Sequence, residues 1–344
     1  MEEQGYTGTS RCLRLAILAA ILLVLLGLPT ALTLWLTSVP GRSFAGPLPP
    51  LSKAETALAS QLRHDVAALA SEPHNVAHPE ALDRAARTIE ARLASLGYPI
   101  LTQNFDQAGG APVRNIEIVV EPAVPAAATL VVGAHYDSAS LAPGANDNAS
   151  GVAALLELAR GLAPLRHRSA LRLRFVFFVN EEPPFFATDR MGSAVHARRL
   201  AASGENVEGM ISLETLGYFN DAEGSQHYPP PLGLLYPSRG DFIAFVATPG
   251  SRSFLRKTIA DFRAHAAFPS AGGTAPGFLS GIDWSDHRSF AAQGIPALMV
   301  TDTAPFRYPY YHTVQDTPEK LDYDRLARVT LALERLLLDW AEPR

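Results

Sequence analysis

The chain has 344 residues, of which 47% are apolar and only 18% are charged. Disordered chains combine low hydrophobicity with high net charge, so this composition excludes disorder. The formal charge of −5 argues against a broad nucleic-acid-binding surface. Cys12 is the only cysteine, which excludes an intramolecular disulfide and a thiolate zinc site. Any metal must therefore be held by histidines and carboxylates.

The N-terminal segment carries no charged residue from Leu15 to Leu36. A run of about 20 apolar residues is long enough to cross a bilayer as a helix. Arg11 and Arg14 precede the run and Trp35 lies near its far end, where aromatic anchors concentrate. The pattern predicts a short tail at 1–14, a transmembrane anchor at 15–36, a Pro/Gly/Ser-rich tether at 37–52 and a folded domain at 53–344.

Two alternatives to the anchor are a cleavable signal peptide and a buried helix. A signal peptide usually has a shorter apolar core of about 7–15 residues, so the length favours the uncleaved anchor. The numbers of basic residues on the two sides of the run are nearly equal, with Arg11 and Arg14 before it and Arg42 and Lys53 after it. The basic residues therefore do not set the orientation of the anchor. The short tail before the anchor favours a main domain on the periplasmic or extracellular side.

The apolar pattern of the main domain predicts alternating helices and strands. In chain order, it predicts helices over 53–70 and 79–96, strands over 115–120 and 129–134, a helix over 149–162, a strand over 171–179, a helix over 189–200, strands over 207–213 and 242–247, helices over 251–265 and 285–293, a strand over 295–301 and a closing helix over 323–340. Several strands are continuously apolar, which is typical of buried parallel strands. We therefore expect an α/β domain with a mixed, mostly parallel central sheet flanked by helices.

Residues with potential metal-binding side chains follow four of the predicted strands. They are His135, Asp137 and then Asp147 after the strand at 129–134, Glu181 and Glu182 after 171–179, Glu214 after 207–213, and His312 after 295–301 and a loop. In open α/β sheets, ligands bind beyond the carboxyl ends of the strands. This convergence predicts one metal site at that edge of the sheet.

Each of these residues also has an ordinary structural interpretation when it is taken alone. His135 and Asp137 are compatible with a hydrogen-bonded loop pair, Asp147 with a helix cap, and His312 with a packed neighbour of aromatic residues. If each of the four strand ends carried these residues for structural reasons alone, four independent coincidences would be needed. The metal site is therefore favoured. The remaining histidines, apart from His287, are predicted to be ordinary surface or capping residues: His64, His74, His78, His167, His196, His227 and His265.

An ordered set of short motifs accompanies these residues. The segments are VVGAHYDS at 131–138, PGANDNASGVAALLELAR at 143–160, FFVNEE at 177–182, MGS at 191–193, SDHRSF at 285–290 and YYHTVQDTPEKLD at 310–322. Over about residues 60–340, the chain resembles the co-catalytic zinc aminopeptidase superfamily. That superfamily also includes glutaminyl cyclases, glutamate carboxypeptidases and transferrin-receptor-like proteins.

The resemblance implies a zinc exopeptidase-like fold, two zinc ions per chain and peptide substrates. By position in the motifs, Asp147 would bridge the two zinc ions. His135 and Glu214 would complete one site, and Glu182 and His312 would complete the other. Asp137 would orient His135, as is usual for a ligating imidazole. Glu181 would be the general base that deprotonates a zinc-bridging water to hydroxide.

The chain departs from the superfamily pattern at two places. Many members have Asp where this chain has Glu214, which is one methylene longer. Many continue the double Glu with a Gly-rich turn, whereas here residues 183–186 read Pro-Pro-Phe-Phe. Asp286 matches an aspartate that handles substrate in glutaminyl cyclases, although a helix cap is an equal alternative. Arg307 and Tyr308 are further candidate substrate contacts.

The resulting function prediction is a membrane-anchored di-zinc aminopeptidase. The alternatives are a glutaminyl cyclase or a carboxypeptidase of the same superfamily, or a non-catalytic binding module. Cyclases typically use one zinc and non-catalytic relatives usually lose ligands, so the complete ligand set favours the hydrolytic enzyme. The residue preference, the oligomeric state and the choice of zinc over cobalt or manganese remain open.

Overall fold

A computed structural model describes residues 5–106, 112–125 and 127–342. The chain divides into two compact units, Met1–Ser38 and Val39–Arg344. The first unit contains helix α1 (Gly5–Leu22), a π-helical segment (Leu23–Gly27) and helix α2 (Leu28–Thr37). Within it, Arg11–Thr37 is long and apolar enough to cross a membrane, with a mean hydropathy of 2.7. A membrane anchor and a signal sequence both meet this criterion.

The second unit is built on one sheet, which has eight strands within the described residues. The strands are β1 (Leu101–Phe105), β2 (Val113–Val120), β3 (Thr129–His135), β4 (Arg172–Phe178), β5 (Val207–Glu214), β6 (Ile243–Ala247), β7 (Ser270–Thr274) and β8 (Ala297–Thr301). Their order across the sheet is β1-β2-β4-β3-β5-β8-β6-β7. Strands β1 and β7 therefore form its two edges.

The four central strands β4, β3, β5 and β8 are parallel. Strand β2 is antiparallel to β4, and β6 is antiparallel to β8. Strands β6 and β7 are parallel to each other and so run against the central four. The carboxyl ends of the four central strands consequently meet at one edge of the sheet, as the sequence predicts.

Helices cover both faces of the sheet. They are α3 (Lys53–Leu69), α4 (Pro79–Ser95), α5 (Ser150–Leu162), α6 (Gly192–Ser203), α7 (Arg252–His265), α8 (His287–Ala291), α9 (Ala304–Arg307) and α10 (Tyr323–Ala341). Helices α3, α5 and α10 contact one another in one layer, and α6 contacts α8 in another. The predicted α/β architecture is confirmed.

The core follows the alternation of side chains along the buried strands. Val131, Val176 and Phe178 belong to a cluster with residues of α6 and α8. Their strand neighbours Val132 and Phe175 belong to the larger cluster with α3, α5 and α10. Strand β3 is buried at every position, which explains its unbroken apolar sequence.

Two strands are missing from the sequence prediction, and both lie at an edge of the sheet. Strand β1 is mostly exposed, and β7 reads Ser-Ala-Gly-Gly-Thr, which lacks the branched and aromatic residues typical of strands. The helix predicted at 189–200 begins later, at Gly192. These differences leave the order of the predicted central elements unchanged.

Residues of the predicted tether contact the folded domain. The Arg263 guanidinium donates to the carbonyl of Pro40 at 2.8 Å and to that of Gly41 at 3.1 Å. The backbone amide of Ser270, at the start of β7, donates to Ser43 Oγ at 2.9 Å. Residues 40–43 are thus held against α7 and the edge strand β7.

Candidate metal centre

The structure brings the predicted ligands together at the carboxyl edge of the central strands. His135 is the last residue of β3 and Glu214 is the last residue of β5. Glu181 and Glu182 lie just beyond β4, and His312 lies in the loop that follows β8 and α9. All of these side chains except His312 are buried. Convergence of four chain segments produces the cluster, as the strand-end pattern predicts.

One set of ligand atoms surrounds His135. Its Nε2 atom lies 3.3 Å from Asp147 Oδ1 and 3.3 Å from Glu214 Oε2. Glu181 Oε2 lies further from the same nitrogen, at 3.9 Å. His135, Asp147 and Glu214 can each offer one atom to a single metal ion.

A second set surrounds His312 and shares Asp147 with the first. His312 Nε2 lies 3.0 Å from Asp147 Oδ2 and 3.3 Å from Glu182 Oε1. The two oxygens of Asp147 therefore face different histidines. This geometry suits a carboxylate that bridges two metal ions.

The backbone around Asp147 is held by its neighbours. The Asp147–Asn148 peptide bond is cis. Asn148 Oδ1 accepts from the amides of Gly151 and Thr215, each at 3.1 Å. A side chain at Gly151 would approach Leu213 O to within 2.6 Å, so glycine lets α5 begin against the end of β5. These contacts position Asp147 between the two histidines.

Asp137 holds the glutamate pair through its carboxylate. Its two oxygens accept the amides of Glu181 and Glu182, each at 3.1 Å. Its backbone carbonyl accepts from His135 Nδ1 at 3.0 Å, whereas Oδ1 is 3.7 Å from that nitrogen. The main-chain oxygen of Asp137 therefore orients the imidazole and leaves Nε2 directed at the carboxylates.

Asp316, Tyr308 and Asp302 support the segment that contains Asp147, and the sequence did not predict this role. Asp316 accepts the amides of Asn146 at 2.8 Å and Asp147 at 3.1 Å. The Tyr308 hydroxyl donates to Asp316 at 2.8 Å, and Asn146 Nδ2 donates to Asp302 at 2.9 Å. The only available signal was the position of Asp316 four residues after His312.

The longer side chain of Glu214 is held by Ser285, which is in turn supported by Ser212. Ser285 Oγ donates to Glu214 Oε2 at 2.8 Å, and Ser212 Oγ lies 2.8 Å from Ser285 Oγ. Both serines are buried. The pair limits the conformations that the extra methylene would otherwise allow.

Burial and mutual repulsion perturb the pKa values of the carboxyl groups in the cluster. Burial raises the pKa of Glu181 well above its usual value, and the charges of Glu214 and Glu182 add to the rise against the effect of His135. Burial and the Asp147 charge raise the pKa of Glu182 to about 7. Burial alone would lower the pKa of His135, but the carboxylates outweigh it and raise that pKa. Carboxylates so close together are stable when a cation balances them.

Several buried atoms of the cluster have no hydrogen-bond partner among the described residues. They include His135 Nε2, Asp147 Oδ1 and Glu182 Oε1. Unpaired buried polar atoms are costly, and these three are potential metal ligands. Imidazole nitrogens and carboxylate oxygens are suitable ligands for zinc. The residues therefore fit divalent metal ions.

A protein-family comparison matches residues 115–337 to Peptidase family M28. The chain belongs to peptidase family M28. The prediction of a zinc metallopeptidase of this superfamily is confirmed. The uncharacterized protein YfbL of Escherichia coli (strain K12) is 40% identical over 77% of this chain and 82% of its own length. Leucine aminopeptidase 1 of Fusarium vanettenii is 27% identical over 60% of this chain and half of its own length.

Solved structures share the fold of this M28 peptidase. An aminopeptidase from Aneurinibacillus sp. strain AM-1 aligns with a TM-score of 0.64 and 19% identity, covering 83% of this chain and 94% of that chain. A glutaminyl cyclase from Bacteroides thetaiotaomicron aligns with a TM-score of 0.60 and 18% identity, covering 84% and 98%. At these identities the likeness concerns the fold alone.

The three predicted substrate contacts of the M28 peptidase are all buried. Burial raises the pKa of the Asp286 carboxyl to about 7, against the lowering effects of His135 and Ser193. The Arg307 guanidinium donates to Gln226 at 2.7 Å and to the Phe242 carbonyl at 2.8 Å. The Tyr308 hydroxyl donates a hydrogen bond to Asp316. Arg307 and Tyr308 thus have structural partners.

Two histidines predicted to lie at the surface or in caps are instead buried. His196 packs between Phe178 and Phe290 and lies 3.3 Å from Glu117. His74 is buried beside the site, and its backbone amide donates to Ser138 Oγ at 2.9 Å. The prediction was wrong because it used local polarity, whereas their burial depends on residues distant in the sequence.

A cavity of about 90 Å³ lies beside the cluster. Glu214 and Tyr311 line its end at the cluster, and Ala244, Val246 and Met299 of the sheet line its floor. The other lining residues are mostly aromatic, aliphatic or small. Ligand pockets are lined mostly by apolar and aromatic side chains with a few polar groups, so this lining suits an apolar ligand group.

Proposed function

We propose that this chain is a membrane-anchored aminopeptidase that uses two zinc ions. The observation that carries the proposal is the position of Asp147 between two complete ligand sets. One oxygen of Asp147 faces His135 and the other faces His312. Glu214 would complete the first set and Glu182 the second.

Zinc bound there would supply a Lewis acid for the scissile carbonyl and lower the pKa of a bound water to about 7. The protein itself contributes the positions of the ligands. Ser285 holds Glu214, Asp316 holds the Asp147 backbone, and the Asp137 carbonyl holds His135. Such supporting contacts orient metal ligands and raise their affinity.

Glu181 is the proposed general base. Its carboxylate is buried beside His135 but lies further from that imidazole than Asp147 and Glu214 do. The hydrogen bond from the Glu181 backbone amide to Asp137 Oδ1 fixes the backbone at this position. Glu181 offers a carboxylate oxygen within 4.8 Å of ligand atoms of both His135 and Glu182. Its raised pKa suits a group that accepts a proton from the attacking water and delivers it to the leaving amine.

The charge of the site favours a substrate with a free amino terminus. Six acidic side chains are buried in or beside the cluster: Asp137, Asp147, Glu181, Glu182, Glu214 and Asp286. If all are ionised, −6 against +4 from two zinc ions leaves −2. Among the described residues, these six side chains form ion pairs with His135 and His312 alone. A substrate ammonium would be attracted and a substrate carboxylate repelled, which argues against a carboxypeptidase.

The cavity beside Glu214 supports a preference for an apolar first residue. Its floor and walls present Val246, Met299, Ile282 and Trp284. An apolar side chain gains roughly 1.5–3 kcal/mol from full burial. We therefore propose peptides with a large aliphatic or aromatic N-terminal residue as substrates.

The proposed organisation keeps residues 1–14 as a tail, 15–36 as the anchor, 37–52 as the connection and 53–344 as the peptidase domain. The domain would lie on the periplasmic or extracellular side. The length and the mean hydropathy of 2.7 of Arg11–Thr37 support an anchor.

The test is metal analysis together with hydrolysis of aminoacyl chromogenic substrates by the full chain. Glu181→Gln and Glu182→Gln form a matched pair of adjacent, isosteric changes. The proposal expects two zinc ions per chain, loss of activity with retained zinc in Glu181→Gln, and loss of zinc in Glu182→Gln. One zinc and cyclisation of N-terminal glutamine would instead establish a cyclase. Absence of metal and turnover would indicate a binding module.

A further inference from the structure

Two loops beside the cavity expose large apolar side chains to solvent. Leu234 is 88% exposed and Phe278 is 86% exposed, and Leu235 and Trp284 are also exposed. The loops are residues 228–238 and 276–284, and both line the cavity. We call these four side chains the apolar rim. Clustered exposed apolar residues mark interaction sites, whereas scattered single ones need no explanation.

The loop at 228–238 is uncharged along its whole length and is fixed to the sheet. It reads YPPPLGLLYPS. The rings of Tyr228 and Tyr236 stack at a centroid distance of 5.8 Å. The Tyr236 hydroxyl donates to the carbonyl of Gly272 on the edge strand β7 at 3.2 Å. Leu234 and Leu235 are therefore presented from a loop that β7 holds in place.

The segment that follows the proposed anchor is fixed to the same edge strand. Ser43 accepts the amide of Ser270, and Arg263 binds the carbonyls of Pro40 and Gly41 while also binding Ser270. Gly41 has a φ of 72°, which glycine adopts without strain, and a side chain there would meet Arg263. Ser270 and Gly272 are two residues apart, about 7 Å along a strand.

Chain length limits how far this edge of the domain can be from the membrane. The apolar helix ends at Thr37, and six residue steps separate Thr37 from Ser43. Six residues span at most about 20 Å. The bilayer surface must lie within that reach of Ser43 if the helix is the anchor. The 228–238 loop, which carries two residues of the apolar rim, is bonded to the same strand two residues further along.

We propose that the apolar rim docks on the lipid bilayer in which the N-terminal helix of the same chain is embedded. The inference rests on the anchor in the proposed function. Trp and Tyr favour the membrane interface, and Leu and Phe enter the acyl boundary. Because the 228–238 loop carries no charge, docking requires no anionic lipid. The anchor and the rim then hold the mouth of the cavity at the membrane surface.

The experiment labels one position at each edge of the sheet in the full chain. Cys12→Ser removes the only cysteine, and Leu234→Cys or Leu101→Cys introduces a site for an environment-sensitive nitrobenzoxadiazole label. Leu101 is exposed on β1, the edge strand opposite β7, and serves as the matched control. The labelled proteins are reconstituted in phosphatidylcholine vesicles with and without doxyl-labelled lipid. Flotation of the vesicles reports the anchor independently.

The proposal expects flotation of both proteins, with a blue-shifted emission and doxyl quenching only for the label at position 234. Flotation without quenching at 234 would overturn the docking surface and leave the anchor intact. Equal quenching at 101 and 234 would also overturn it, because the domain would then have no preferred edge. A blue shift without quenching that grows with protein density would indicate a second copy as the occupant. Failure to float would overturn both proposals.

Discussion

Replacing Ser285 by alanine tests how this chain accommodates a glutamate at position 214. Ser285 Oγ donates to Glu214 Oε2 at 2.8 Å in a buried position, and Ser212 lies 2.8 Å from Ser285. Ser285→Ala removes the donor that faces the carboxylate. Glu214 then regains side-chain conformations that do not face His135.

The size of the effect follows from the charge and burial of this hydrogen bond. A hydrogen bond to a charged group contributes roughly 1.5–3 kcal/mol. Since about 1.4 kcal/mol changes an equilibrium tenfold, zinc affinity at the Glu214 site should fall roughly 10–100-fold. Loss of other supporting contacts at metal sites has effects of about 10–100-fold, in agreement with this value. The site of Glu182 and His312 should retain its affinity.

The assay is a competition titration of the metal-free chain with a chromophoric zinc chelator, which resolves the two sites. Ser251→Ala is the control, because Ser251 is also buried and accepts the amide of Ala297 at the other end of β8. Hydrolysis by Ser285→Ala at limiting zinc should be restored by added zinc. Unchanged affinity at both sites, or an equal loss in Ser251→Ala, would refute the reasoning.

Three further predictions concern the base, the cavity and a buried histidine. Glu181→Gln should lower kcat by roughly 10²–10⁴-fold without changing zinc content, because it removes the proposed general base; kinetics and metal analysis measure both. Val246→Phe should fill the cavity floor and lower kcat/KM for leucyl relative to alanyl substrates by about tenfold or more. Burial lowers the pKa of His287 to about 4, so the unfolded chain binds more protons below about pH 6.5. Protonation of His287 in the unfolded chain should therefore lower the free energy of unfolding by about 2 kcal/mol between pH 7 and pH 5. Denaturant unfolding of the zinc-free chain should show a smaller pH dependence in His287→Gln.

Each of these predictions has a contrary outcome. Full activity in Glu181→Gln would assign the proton transfer to another group. Equal losses on leucyl and alanyl substrates in Val246→Phe would mean that the cavity does not hold the first residue. For the buried histidine, an unaltered pH dependence in His287→Gln would show that it does not titrate as its burial implies.

The strand-end residues were predictable because two regularities act on the sequence alone. Apolar runs identify buried strands, and parallel strands bring their carboxyl ends to one edge of a sheet. His135, Glu182, Glu214 and His312 follow these rules, and their side chains converge in the structure. The order of the motifs also predicted the family, because the motifs contain the residues at this edge of the sheet.

The supporting contacts could not be predicted from local sequence. Asp316 holds the Asn146 and Asp147 amides across a separation of about 170 residues in the chain. The Asp137 carboxylate accepts two backbone amides, and the main-chain carbonyl of Asp137 orients His135. The sequence alone does not show which oxygen of Asp137 contacts the imidazole. Such contacts depend on how distant segments pack.

The sequence by itself determined the order of the central elements, the apolar N-terminal helix and the set of residues able to bind metal. Each of these depends on periodicity, length or residue chemistry, which are local properties. The tertiary structure decided that the two oxygens of Asp147 face different histidines. It also decided that Arg307 and Tyr308 form hydrogen bonds within the protein. Finally, it decided that β7 binds both the 40–43 segment and the 228–238 loop. Those facts depend on the distance between side chains far apart in sequence, and only the packed sheet and its helices set that distance.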